Sequence, residues 1–182
     1  MRYYLDCEFL ERPCTIDLLS LALVREDGEE LYLVSTDCDL SQANDFVRTQ
    51  VIPNVYHPGP PQSDPHCQTY VGHVTLKLTR DEIAQKVLAF VGTDPAPVFY
   101  GYFADYDWVC FCWLFGTMME LPKGWPMYCY DLKQLAEEFR EHTGTDVPAM
   151  LQPVGDEHNA LVDARFNKRL HEALLTAIAL LP

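Results

Sequence analysis

Apolar and polar positions alternate in strand-length blocks over the first part of the chain. Residues 2–8 and 16–24 are apolar with aromatic or β-branched character, and both read as strands. The run Ile16-Asp17-Leu18-Leu19-Ser20-Leu21-Ala22-Leu23-Val24 is too apolar for an exposed edge, so it should be buried on both faces. Glu26-Asp27-Gly28-Glu29 is a hairpin turn signal, and Leu31-Tyr32-Leu33-Val34 reads as a third strand. Short connections make these three strands antiparallel neighbours. Beyond them the period changes. Ser41 is placed to cap a helix with Phe46, Val47 and Val51 on one face. Thr79-Arg80-Asp81-Glu82 is a capping box, opening a helix that carries Ile83, Val87, Leu88 and Val91 and ends at Gly92. Val98-Phe99-Tyr100-Gly101-Tyr102 is a short strand, 106–115 an apolar helix, and Tyr128-Cys129-Tyr130 a last strand. Asp131 caps a helix over 132–142, and a final helix covers 158–179. The 57–66 segment, with four prolines, is a loop that either lines a substrate path or is a plain surface excursion.

Three strands followed by alternating helices and strands predict an α/β fold. Its sheet is mixed, with strands 1–3 antiparallel and later strands parallel, because parallel strands need crossover helices. Helices flank both faces. At 182 residues and 20.9 kDa, without a dividing linker, the chain reads as a single domain over 1–182.

Composition narrows the function. Apolar residues make up 48% and charged residues 22%, which is globular usage. Thirteen basic against 27 acidic side chains leave a net charge of −14, with a pI near 4.6. That excludes a simple nucleic-acid binder with a basic surface, but not an enzyme that reaches phosphates through metal ions. No apolar run reaches the ~18 residues of a membrane helix, and acids stand where a signal peptide would be apolar, so no membrane association and a cytoplasmic location are expected. Seven cysteines without a CxxC pair suit buried free thiols better than disulfides or zinc, although Cys110-Phe111-Cys112 and the 57–73 His/Cys group leave zinc open.

The chemistry lies in carboxylates. Asp6 and Glu8 stand two apart at the exit of the first strand and therefore point to one face. Asp163 lies between Val162 and Ala164 on the expected buried side of the last helix, where an unpaired Asp is expensive, so Arg165 or a metal should neutralise it. His158 precedes it by five residues, about 500° of helix, and could lean over the same site or merely cap the helix. Where the Tyr102 strand becomes a helix, Asp105 and Asp107 are rivals for a fourth position, with Asp105 also a possible N-cap. Four such carboxylates repel: at ~4 Å and an effective dielectric near 20, each pair costs about 4 kcal/mol. Two divalent cations remove that cost. All-oxygen donors favour Mg²⁺ or Mn²⁺, and two such ions suit an in-line phosphoryl displacement. Histidine, which titrates near neutrality in general, is the natural base for an attacking water.

In these motifs the sequence resembles the DEDDh group of 3′-5′ exonucleases, which have the ribonuclease H-like fold. Leu5-Asp6-Cys7-Glu8-Phe9 matches the D-x-E motif, and His158 through Asp163 matches H-x-x-x-x-D. Tyr102-Phe103-Ala104-Asp105-Tyr106-Asp107 stands where the group has H-N-A-x-F-D, which puts the metal ligand on Asp107 but lacks the His-Asn pair. Arg2-Tyr3-Tyr4, Val47 through Pro53, and Ala160 through Arg165 are similar to the small actinobacterial AS-type, polyadenylate-specific 3′-5′ exoribonucleases. The resemblance implies that Asp6, Glu8, Asp107 and Asp163 hold two Mg²⁺ ions (Mn²⁺ as an alternative) and that His158 deprotonates the attacking water. The 3′ end of a single-stranded RNA would then release nucleoside 5′-monophosphates. It also implies that the backbone at Cys7 and Phe9 meets the terminal ribose, that Phe9 stacks on a base or packs in the core, and that the chain forms a homodimer. Arg165, Lys168 and Arg169 are the nearest cations for phosphate contact. Other readings are a phosphohydrolase acting on DNA or very short oligonucleotides, and a degenerate nuclease fold used for protein interaction.

Overall fold

A computed structural model describes residues 1–55, 76–151 and 158–181. The 57–66 loop lies outside the described residues. The elements, in chain order, are β1 (Arg2–Arg12), β2 (Thr15–Arg25), β3 (Glu30–Ser35), α1 (Ile52–Val55, continuing a wider helical turn at Val47–Val51), β4 (Leu76–Leu78), α2 (Arg80–Val91), β5 (Val98–Gly101), α3 (Asp105–Trp113), β6 (Tyr130–Asp131), α4 (Leu132–Thr143), α5 (Val147–Met150) and α6 (Ala160–Ala179). One six-stranded sheet has the order β4-β3-β2-β1-β5-β6. β1, β2 and β3 pair antiparallel, whereas β4 joins β3, β5 joins β1 and β6 joins β5 in parallel. This is the mixed α/β sheet that the pattern predicts, with β2 and β1 in its middle.

The period-two alternation of the strands builds two cores. Tyr4, Ala22, Val24, Tyr32 and Val34 face α4 and α6, where Leu132, Phe139, Leu161, Ala164 and Leu170 meet them. Tyr3, Leu5, Cys7, Leu21, Leu23 and Leu33 face α2 and α3, meeting Ile83, Val87, Trp108 and Phe111. Each large side chain taken out of water contributes roughly 1.5–3 kcal/mol, so burying β1 and β2 between two such layers is a main source of this fold's stability.

Several local expectations need correction. Asp39, not Ser41, caps the first short helical turn: its Oδ1 accepts the Ser41 N–H at 3.1 Å. Phe46 is 53% exposed, so the apolar face of this region consists of Val47, Val51 and Val55. β4 was not legible as a strand, because only three residues pair and its ladder with β3 creates it. The capping residue of α3 is Ala104, with Asp105 already in the first turn. Thr79 with Glu82, and Asp131, cap α2 and α4 as their types predict. Among the described residues, no helix is long and apolar enough to cross a membrane.

Candidate active site

The site begins where β5 stops. Parallel pairing between β1 and β5 runs from Arg2 and Val98 to Tyr4 and Tyr100, and at Gly101 the chain turns away. Gly101 permits that turn: a Cβ there would lie 2.8 Å from the Ala104 Cβ and 3.4 Å from the Leu5 carbonyl oxygen. The continuing edge of β1 must find other partners for its peptide groups. The buried side chain of Asn167, on α6, donates Nδ2–H to the Leu5 carbonyl at 2.9 Å. The Cys7 N–H donates to Asp107 Oδ1, on α3, at 2.7 Å. One helix from each face thus clamps the strand on either side of Asp6. A register shift between Glu8 and Phe9, with Glu8 opposite Ser20 and Phe9 opposite Leu18, adds a bulge at the same point. Bulges re-aim side chains at the ends of strands.

Asp6 and Glu8 share the face of β1 that looks toward α6, which carries Asp163 in its first turn. Among the described residues these three carboxylates converge: one oxygen of each lies within 4.8 Å of the others. Asp107 is nine-tenths buried beside them, its Oδ1 held by the Cys7 amide. Of the two rivals, Asp105 is exposed and Asp107 is buried against β1.

The electrostatics follow from this crowding. Burial raises the Asp6 carboxyl well above the usual carboxylate range, with the charges of Asp107, Asp163 and Glu8 adding to it. Glu8 is pushed up to about 8, chiefly by burial and then by Asp163 and Asp107. Asp107 is pushed up to about 7 by burial, with the Cys7 amide pulling the other way and Asp163 adding to the rise. Three carboxyl groups that resist ionising, with the Asp163 carboxylate beside them, form an all-oxygen donor set suited to hard divalent cations.

The beginning of α6 is tied down by Asn159. Its side-chain oxygen accepts the Leu161 and Val162 N–H groups, and its Nδ2–H reaches the Asn54 carbonyl at 2.7 Å. Asn159 is the helix cap, so His158 is not. His158 stands just outside the helix with φ +66° and lies edge-on to Phe46, ring centroids 5.0 Å apart. Phe9 packs against Tyr106 with centroids 5.9 Å apart. The Cys7 side chain is buried in the α2–α3 core, and its amide is committed to Asp107.

The proposed cations fare differently. Arg165 forms a two-pronged pair with Glu30, both contacts at 2.7 Å, so its guanidinium is occupied by β3. Two positions from Asp163 on a helix is about 200° around the axis, which sends the two side chains apart. Lys168 pairs with Glu172. Asn167, Asn159 and Phe46 escaped the reading of the sequence as site residues. For Asn167 a signal existed, since four residues beyond Asp163 is the same helix face.

A family model described as the 3′-5′ exoribonuclease Rv2179c-like domain matches residues 1–175. The chain belongs to this family. It is 37% identical over 165 residues to the 3′-5′ exoribonuclease MT2234.1 of Mycobacterium tuberculosis strain CDC 1551 / Oshkosh, covering 91% of this chain and 88% of that protein. The 3′-5′ exoribonuclease Rv2179c of strain ATCC 25618 / H37Rv aligns with the same identity and coverage. The family match takes in Asp6, Glu8, Asp107, His158 and Asp163, the residues that the motifs single out.

Proposed function

We propose that this chain is a metal-dependent 3′-5′ exoribonuclease of the DEDDh, ribonuclease H-like type, removing nucleoside 5′-monophosphates from single-stranded RNA. The observation that carries the reading is the convergence of Asp6, Glu8 and Asp163 within 4.8 Å, in a chain whose relatives are named 3′-5′ exoribonucleases. These three, with Asp107, would hold two Mg²⁺ or Mn²⁺ ions, which when bound offset the carboxylate repulsion and stabilise charge on the phosphoryl oxygens.

The chain's own groups do the rest. His158 accepts the proton of the attacking water on an imidazole nitrogen, and its contact with Phe46 holds the ring at the mouth of α6. Asp107 satisfies the Cys7 amide at the edge of β1 that β5 leaves open. That amide is therefore spent, and contact with the terminal ribose falls to the backbone from Phe9 onward. The Phe9 ring, backed by Tyr106, offers a face to the terminal base. We assign Arg165 to orienting α6 through Glu30 instead of to phosphate contact.

The test is a time course on 5′-labelled single-stranded RNA with Mg²⁺, with EDTA, and with Asp163→Asn. The expected result is a ladder shortening from the 3′ end that needs metal and falls at least about 10²-fold in the variant. RNA left intact under both Mg²⁺ and Mn²⁺ would overturn the reading.

A further inference from the structure

Phe103 is the most exposed aromatic side chain among the described residues, at 62%. Its φ is +56°, a left-handed conformation that bulky residues avoid. Strain of this kind persists only where the surroundings enforce it, and here they do. Before it, Gly101 lets the chain fold back onto Ala104. After it, Ala104 is buried, donates its N–H to Asp131 Oδ2 at 2.9 Å, and accepts the Trp108 N–H at 2.8 Å. Tyr102, its neighbour, packs edge-on against the Phe103 ring, centroids 5.0 Å apart, and against Phe166 of α6. The loop is anchored on both sides and leaves one ring projecting.

That ring stands at the entry to the helix that carries Asp107. Phe103 directly precedes Ala104, the cap of α3, and Asp107 lies in the first turn of that helix. The ring also has a cation over it: Lys133 Nζ, itself paired with Glu137, lies 5.8 Å from the centroid. In a chain of net charge −14, an exposed ring with an ammonium over one face matches the chemistry of a nucleotide, whose base stacks and whose phosphate is anionic.

We propose that Phe103 and Lys133 form a stacking subsite for an unpaired nucleobase at least two nucleotides upstream of the 3′-terminal one, beyond the reach of a dinucleotide, with Lys133 facing that nucleotide's phosphate. The proposal rests on the exoribonuclease reading. Stacking is tolerant of sequence because every base has a π face. The subsite therefore sets a preference for length, favouring oligomers over dinucleotides, and adds no preference for one base.

Phe103→Asn tests it, because Asn adopts the left-handed region readily and so removes the ring while keeping the loop. Phe103→Trp keeps the stack. With Mg²⁺, Phe103→Asn should raise KM for a ten-nucleotide RNA about tenfold, within what one base–aromatic stack supplies. kcat should hold within about twofold, and the kinetics on a dinucleotide should not change. Phe103→Trp should keep the wild-type KM. Lys133→Gln should raise the decamer KM less and weaken its salt dependence. Binding is read separately by anisotropy of the labelled decamer with Mg²⁺ in the Asp163→Asn background. An unchanged decamer KM and affinity in Phe103→Asn would overturn the subsite, as would equal losses on decamer and dinucleotide. If the wild type leaves RNA intact, the exoribonuclease reading fails on its own, and the anisotropy comparison without Asp163→Asn still decides the subsite.

Discussion

Asn167 has no chemistry to offer a substrate, yet it holds the peptide bond that leads into Asp6. Its Nδ2–H is the donor for a buried Leu5 carbonyl that β5 has abandoned. Asn167→Leu keeps the volume and removes the donor, leaving that carbonyl unmet. The expected loss is about 1–3 kcal/mol, seen as a lower urea midpoint at unchanged slope. Activity should fall further than stability, because Asp6 loses its anchor. Asn159→Ala removes the cap bonds to Leu161 and Val162 and the link to Asn54. About 1–2 kcal/mol should go with it, read by the same titration. The spacing from His158 to Asp163 is visible in a string of letters. The role of Asn167 is not, because it depends on a carbonyl 162 positions away.

The decisive event among the elements is the early end of β5. Had it continued beside β1, its ladder would have satisfied the Cys7 amide and the Leu5 carbonyl, and those groups would not have needed Asp107 of α3 and Asn167 of α6. Gly101→Ala places a Cβ 2.8 Å from Ala104 and 3.4 Å from Leu5, so the β5–α3 loop must shift. Overpacking of this kind costs about 1–3 kcal/mol, and because Asp107 moves with the loop, kcat/KM on RNA should drop beyond what partial unfolding explains. Thr79→Ala is the matching control. It breaks the capping box of α2, which carries none of the site carboxylates, and should cost about 1 kcal/mol with kcat/KM unchanged. Equal effects of the two substitutions on activity would contradict this account of the loop.

For the molecule as a whole, the carboxylate cluster links stability, pH and metal. Glu8 at about 8 and Asp107 at about 7 stand above their unfolded values near 4. The native chain therefore holds protons that the unfolded chain releases. This contribution is fully present below about pH 4 and is lost as pH rises through 7 and 8, at roughly 1.4 kcal/mol per pH unit for each group. In EDTA the melting temperature should fall between pH 5 and pH 8, and Mg²⁺ should restore it by replacing protons as the counter-charge. Glu8→Gln should flatten the metal-free profile. A profile that neither falls with pH nor responds to Mg²⁺ would show that the four groups do not share a field.

The sequence by itself determined the sheet's antiparallel core, the helices with strong caps, and three of the four carboxylates. Those signals are local: alternation in β1 to β3, the Thr79 and Asp131 caps, Asp6 with Glu8 on one strand face, and Asp163 on the apolar side of α6. The choice of Asp107 over Asp105 needed the tertiary structure, because both lie in the first turn of α3 and only packing against β1 buries one of them. So did the fate of Arg165, in the sequence a candidate for Asp163 or for phosphate and in the fold a partner of Glu30. The three-residue β4 exists only because β3 offers it a ladder. Phe103, ordinary in the sequence, becomes a projecting ring once Gly101 and Asp131 fix the chain on either side. Short-range pattern reports what a segment prefers, whereas burial, pairing and the end of a neighbouring strand depend on residues far away in the chain, and those placed this site.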